Sequence, residues 1–293
     1  MTTVASPSTR KYALERGIDP EALARRTGRS FLTREDIDAA LSPGPAQTAA
    51  PPSPWETDHA LYGPVEFEPR SRFSRIAAAN LAVSASTIPA VTHHDAADMG
   101  AIDALRHELR PEADARGVKL TVLAFHILAL TRTLDAFPRF NASLSADGGG
   151  LWLKRHVAIG VAVDTPHGLV VPVLRGLQRR KIWSIATGIA DLAARARARK
   201  LRPEEMGGAS MSVSSLGGIG GRGFTPIINP PELAILGLSR ARVEPVWDGE
   251  AFQPRAMCPL DLTYDHRVID GAQAAAFLRH YADLLEAPAR LML

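Results

Sequence analysis

One cysteine in 293 residues leaves no partner for an internal disulfide and no thiolate cluster for a metal. A reducing compartment, the cytoplasm, is the expected setting. There is no run of 18 apolar residues to cross a bilayer, and Met1-Thr2-Thr3-Val4-Ala5-Ser6-Pro7 has no apolar signal core. Charge of one sign is scarce as well: 34 Lys and Arg against 31 Asp and Glu give +3, too small and too dispersed for a nucleic-acid surface. Neither a nucleic acid nor a membrane is an expected partner, whereas a small anionic molecule is compatible. What the chain has in plenty is apolar side chains, 46% of the total, ample for one large domain beside a small one.

Ser6-Pro7 offers a cap and a first-turn proline and Gly17 a stop, so residues 7 to 16 read as a helix. A second helix starts at Thr33-Arg34-Glu35-Asp36, an approximate capping box before Ile37, Ala40 and Leu41. From Ser42 to Pro54 the chain is rich in proline and alanine and carries no charge, which predicts an extended linker. The expected division is a helical domain over 1–41, a linker over 42–60 and a main domain over 61–293. In the main domain, helices are expected over 70–86, 99–116, 120–135, 181–200 and 271–287. Strands are expected over 88–96, 151–164, 168–174, 208–215, 233–240 and 251–264. The fold class is α/β in the mixed, α+β sense, without a regular βαβ rhythm.

Gly218-Ile219-Gly220-Gly221-Arg222-Gly223 fits the spacing of a dinucleotide loop, but Pro226, Pro230 and Pro231 deny it the helix that would meet a pyrophosphate. A tight or flexible loop near the active site is the better reading. Cys258 shares strand parity with His266, yet eight residues at about 3.3 Å place them roughly 26 Å apart, so Cys258 reads as a small buried hydrophobe. His93 and His94 beside Asp95 face opposite ways on a strand and do not make a metal site. Tyr264-Asp265-His266-Arg267-Val268-Ile269-Asp270-Gly271 is different. It sets a histidine and an aspartate four residues apart where a strand gives way to a helix, and an imidazole takes up and returns protons near neutrality.

Joined to Ser210-Met211-Ser212-Val213-Ser214-Ser215-Leu216-Gly217-Gly218 and to the stretch from Ile227 to Gly237, that segment resembles the catalytic domain of the dihydrolipoamide acyltransferases. These are the core subunits of 2-oxo acid dehydrogenase complexes, with a chloramphenicol acetyltransferase-like fold. The resemblance covers roughly 65 to 293 and includes Val161 to Pro172 and Phe137-Pro138-Arg139-Phe140-Asn141-Ala142-Ser143. It implies a mixed sheet with flanking helices, coenzyme A and a dihydrolipoyl group as substrates, and no metal. His266 would take the thiol proton, and Ser214 would steady the oxyanion, with Ser215 as fallback. Asp270 would pair with Arg72 to hold the histidine loop. The active site would be a tunnel between subunits of a homotrimer, His266 and Ser214 coming from different chains. Leu291-Met292-Leu293 would be buried between trimers of a 24-subunit or larger core.

Residues 1–41 resemble the peripheral subunit-binding domain of the same enzymes, which docks the decarboxylase or dihydrolipoamide dehydrogenase subunit. The usual glycine-threonine-glycine loop reads Arg26-Thr27-Gly28-Arg29-Ser30 here. Ala82-Val83 replaces a common basic residue and Ala90 a common histidine. No lipoyl-bearing segment precedes the linker, so the lipoyl group is expected in trans. The expected function is acetyl transfer between dihydrolipoamide and coenzyme A. Its alternatives are a coenzyme A-dependent acyltransferase with a non-lipoyl small acceptor, and a non-catalytic core or docking subunit.

Overall fold

Ser6 and Asp19 each precede a proline and each turn a side-chain oxygen onto a backbone N–H of the following turn, that of Thr9 at 3.2 Å and of Glu21 at 3.0 Å. Helices α1 (Pro7–Leu14) and α2 (Pro20–Thr27) start there. The third, α3 (Arg34–Leu41), starts at the expected box: Asp36 accepts from the Thr33 N–H at 2.8 Å, and Thr33 Oγ1 accepts from the Asp36 N–H at 3.4 Å. Sequence reading passed over α2, although Asp19-Pro20 repeats the signal of Ser6-Pro7. The structure, a computed structural model, describes residues 4–41 and 57–292. Most of the linker expected over 42–60 lies outside the described residues. Two compact units divide between Pro69 and Arg70. In the first, Ala5, Ala13, Leu23, Ala24, Leu32 and Ile37 form a small core.

The second unit opens with α4 (Arg72–Thr87) and β1 (Ala90–Asp98), then α5 (Gly100–Glu108), α6 (Arg110–Ala115) and α7 (Val122–Ala136). A hairpin of β2 (Ala142–Leu144) and β3 (Leu151–Leu153) precedes β4 (Ile159–Val161), β5 (Val173–Leu174) and α8 (Ile182–Arg197). β6 (Met211–Ser215), β7 (Ala234–Leu238), β8 (Arg242–Trp247), β9 (Phe252–Asp265), α9 (Gly271–Glu286) and α10 (Pro288–Met292) complete it. Seven strands form one mixed sheet in the order β1-β9-β7-β6-β4-β5, with β8 also paired to β9. The pairs β4–β6 and β6–β7 are parallel and the others antiparallel. This is the mixed α/β architecture the sequence predicts.

Alternation along the strands gives this sheet two unlike faces. Val213, Leu236, Leu260, Leu262 and Tyr264 point into the core they share with α7, α8 and α9, where the Phe140 and Phe277 rings stack at 4.0 Å. The residues between them, among them Ser212, Ser214, Gly237, Asp261 and Thr263, make the opposite face polar.

Several expected boundaries shift for identifiable reasons. The strand over 151–164 is two strands in different sheets, β3 pairing with β2, and β4 with β5 and β6. The helix over 99–116 breaks at Leu109, because Pro111 lacks an N–H and suits the first turn of a new helix, α6. The strand over 168–174 contracts to Val173–Leu174, Val170 meeting Val163 only in an isolated bridge. β8 is an addition; it carries Pro245, which an edge strand tolerates.

The expected ion pair between Asp270 and Arg72 is not formed within the chain. Asp270 is the N-cap of α9, its Oδ1 accepting from the Gln273 N–H at 2.8 Å, and Arg72 sits at the exposed start of α4. A helix start four residues beyond His266 offers that carboxylate a partner nearer than any arginine. Replacing Asp270 with Ala should therefore cost about 1 kcal/mol, the usual loss of a cap, and Asp270→Ser should restore most of it. Arg72→Ala should stay within about 0.5 kcal/mol. Denaturant unfolding of the three variants checks this, and equal losses of about 3 kcal/mol at both positions would reinstate the ion pair.

Burial also sets a pH limit. His126 on α7 is enclosed, its Nδ1 2.5 Å from the Tyr281 hydroxyl, and burial pushes its pKa down to about 4. In the unfolded chain the imidazole titrates near 6.5, so this stability is intact above that pH and is lost as pH falls toward 4, by roughly 3 kcal/mol. His126→Gln should flatten the fall in unfolding free energy between pH 7 and pH 4. A variant as acid-sensitive as the parent would place the effect elsewhere.

Candidate active site

β9 ends on Asp265, a buried carboxylate, and the chain turns back toward α9 through His266. Arg267 locks the turn: its Nε and Nη2 donate to Asp265 at 2.9 and 2.6 Å, and its backbone N–H at 3.0 Å. That pairing raises the Arg267 pKa above its ordinary value. The His266 N–H donates to Pro89 O at 3.1 Å, and Arg139 donates to Val268 O at 3.0 Å. The turn is thus fixed entirely by groups other than the imidazole. That ring is exposed, lies 5.8 Å from the Tyr264 ring centroid, and has no hydrogen-bond partner among the described residues. An imidazole held in place with free nitrogens can accept a proton from a bound thiol. Asp265 and Arg267 escaped sequence reading, although opposite charges flanking His266 were the available signal.

Ser214 lies near the carboxyl end of β6 on the polar face, half-buried, its hydroxyl without a partner among the described residues. Ser215 takes the alternate orientation, so the fallback serine sits away from that face. Ser214 pairs with Gly237 on β7, Gly237 with Asp261 on β9, and Asp261 with His94 on β1, one row across four strands. Gly237 is needed there, because a Cβ would lie 2.9 Å from the Phe224 ring. Behind Ser214, the buried Glu232 accepts from Ser212 Oγ at 2.9 Å and from Asn229 Nδ2 at 3.0 Å, and burial pushes its pKa up.

The glycine run after β6 forms no helix, so no dinucleotide loop is present. Arg240 donates to Gly217 O at 3.1 Å and to Gly218 O at 2.8 Å, and Arg242 donates to Gly221 O, which makes the loop clamped and tightly turned. Cys258 is buried, and burial pushes its pKa up to about 12, which leaves no thiolate for chemistry. His93 and His94 face opposite sides of β1, as expected, and only His94 reaches the polar face, its Nδ1 2.7 Å from Asp261.

The two principal residues are not brought together within one chain. His266 is five residues beyond Asp261, which shares a row with Ser214 two strands away. At about 3.3 Å per residue and about 4.8 Å per strand, their separation is about 19 Å. A base must come within about 3 Å of the proton it takes.

Comparisons with known proteins identify the family. A family model described as 2-oxoacid dehydrogenases acyltransferase (catalytic domain) matches residues 63–293. A relative in Cupriavidus necator, named dihydrolipoyllysine-residue acetyltransferase component of pyruvate dehydrogenase complex, is 43% identical over 99% of this chain and 55% of its own length. The chain spans about half the length of the curated relatives it matches first. A solved structure of the Azotobacter vinelandii dihydrolipoamide acetyltransferase, concerned with the roles of a serine, a histidine and an asparagine in its catalytic mechanism, is 46% identical. It covers 83% of this chain and 100% of its own, with a TM-score of 0.81. The cubic core of a pyruvate dehydrogenase multienzyme complex matches at 47% identity with the same coverage and TM-score. With the sheet, the serine row and the histidine turn all in the part that is matched, the chain belongs to the 2-oxoacid dehydrogenase acyltransferase family.

Proposed function

We propose that this protein moves an acetyl group between a dihydrolipoyl thiol and coenzyme A, with His266 as the base and Ser214 as the oxyanion donor. The supporting observation is the arrangement of three residues. The serine, histidine and asparagine studied in the Azotobacter enzyme are separated by 52 and then four residues, and Ser214, His266 and Asp270 repeat both intervals. Aspartate in place of asparagine suits the cap of α9 equally well.

The reaction follows from these groups. A thiol with pKa about 8.5 or higher is only a few per cent ionised at neutral pH, so the His266 imidazole removes the proton as sulfur attacks the thioester carbonyl. The carbonyl oxygen becomes an oxyanion that accepts a hydrogen bond from Ser214 Oγ. Collapse breaks the original C–S bond, and the departing thiolate takes the proton back from the imidazolium. No acyl-enzyme forms.

A separation of about 19 Å within one chain supports a site shared by two protomers, His266 from one and Ser214 from the other, most simply neighbours in a trimer. Unpaired apolar surface supports this: Phe73, Ile76 and Val83 are exposed on α4, and Trp247 and Phe252 on the β8–β9 hairpin. Likeness to a cubic core supports assembly of trimers into a larger shell. Residues 4–41 would then dock the decarboxylase or dihydrolipoamide dehydrogenase subunit of the complex.

Ser214→Ala should lower kcat by about 100- to 1,000-fold, and His266→Ala should abolish measurable transfer. Mixing the two inactive proteins, unfolding and refolding them together, should restore about a quarter of the parent activity, since random assortment pairs an intact histidine with an intact serine at that frequency. Activity that stays at the level of the separate variants would sink the two-protomer site.

A further inference from the structure

The row that holds Ser214 ends in a second imidazole for which the transfer chemistry has no use. His94 Nδ1 lies 2.7 Å from Asp261 Oδ1, and the other carboxylate oxygen, Oδ2, accepts from the Phe224 N–H at 3.1 Å. Asp261 is buried, whereas the His94 side chain is 61% exposed. In the neutral ring, a buried carboxylate that already accepts a backbone N–H takes the Nδ1–H, which fixes the tautomer and leaves Nε2 as an outward acceptor. Nε2 has no partner among the described residues. On the same face, Thr92 and Thr263 satisfy each other at 2.7 Å, so they do not compete for a ligand.

With His266 as the thiol base, His94 is left for another part. Three strand spacings separate it from Ser214, about 14 Å. Between them, the Phe224 ring lies over Gly237 and gives the row an apolar middle. The surface from Ser214 therefore runs from a hydroxyl, across an aromatic ring, to a lone hydrogen-bond acceptor. A thiol-bearing arm built of methylenes and secondary amides matches that sequence when its sulfur sits at Ser214: the methylenes cover Phe224, and an amide N–H reaches Nε2.

We infer that His94, oriented by Asp261, is a binding residue of the acyl-transfer face that accepts a hydrogen bond from an amide N–H of the thiol-bearing substrate. The inference rests on the acyl-transfer reading given above. Two arms carry this chemistry, the pantetheine part of coenzyme A and the lipoyl amide. Asp261 acts through His94 and is a positioning residue.

Steady-state transfer by the full chain separates the cases, with acetyl-CoA and dihydrolipoamide in one direction and acetyl-dihydrolipoamide and coenzyme A in the other. His94→Phe should raise KM about tenfold for one of the two thiols, the effect of one hydrogen bond, with kcat changed by less than about twofold. A rise for coenzyme A assigns the pantetheine amide, and a rise for dihydrolipoamide assigns the lipoyl amide. His94→Gln, which returns an acceptor near the place of Nε2, should recover most of the loss. Asp261→Asn should reproduce the KM rise, because its amide donates to Nδ1 and turns Nε2 into a donor. Should Asp261→Asn fail to fold, the two exposed His94 variants still decide. Unchanged KM for both thiols in His94→Phe overturns the inference, as does a fall in kcat alone. A parent chain that transfers no acetyl group would instead overturn the function proposed above, so the two failures are distinguishable.

Discussion

Period-two alternation in β9 is the constraint on which the arrangement depends. Cys258, Leu260, Leu262 and Tyr264 face the helices, and that apolar set fixes the register of a strand with partners on both sides. With the register set, Asp261 and Thr263 have only the other face to occupy. A slip of one residue would drive two polar side chains into the core and several apolar ones out of it, which is costly enough to make the row through Ser214 a consequence of packing. The same register delivers Asp265 to the end of the strand, where Arg267 closes the turn and leaves the neighbouring imidazole unencumbered.

The turn is held by atoms other than the His266 ring nitrogens. Asp265, Arg267, Pro89 and Arg139 hold the backbone, Asp270 caps the helix that follows, and none of these groups touches a ring nitrogen of His266. Strand β6 shows the same pattern: Glu232 anchors Ser212, and the hydroxyl two residues on stays unpaired. In both places the neighbouring polar groups are satisfied by one another, so the His266 ring and the Ser214 hydroxyl are left without local partners among the described residues.

Local signals were the legible ones. The caps at Ser6 and Thr33, the long helices α7, α8 and α9, and the strands around Ser214 and Leu236 all announce themselves within a dozen residues of chain. His266 and Ser214 were singled out through their motifs, and they lie at the end of β9 and on β6. The pairing of His94 with Asp261 was not, because it joins residues 167 apart and exists only once β1 and β9 are in register. The cap that Asp270 makes on α9 went unread for another reason: the resemblance pointed to Arg72, whereas the bond from the Gln273 N–H depends only on the residues that follow. The breaks at Leu109 and within 151–164 reflect proline and sheet switching that periodicity does not see.

One small feature reaches beyond the chain. At the outer edge of the sheet Pro245 faces Pro254 in the β8–β9 pair, and Trp247 sits edge-on to Phe252 two residues farther along. Neither proline has an amide hydrogen to offer, so a passing extended peptide finds the ladder interrupted where its aromatic side chains are most inviting. The two prolines therefore make this edge a poor template for strand addition beside two exposed rings.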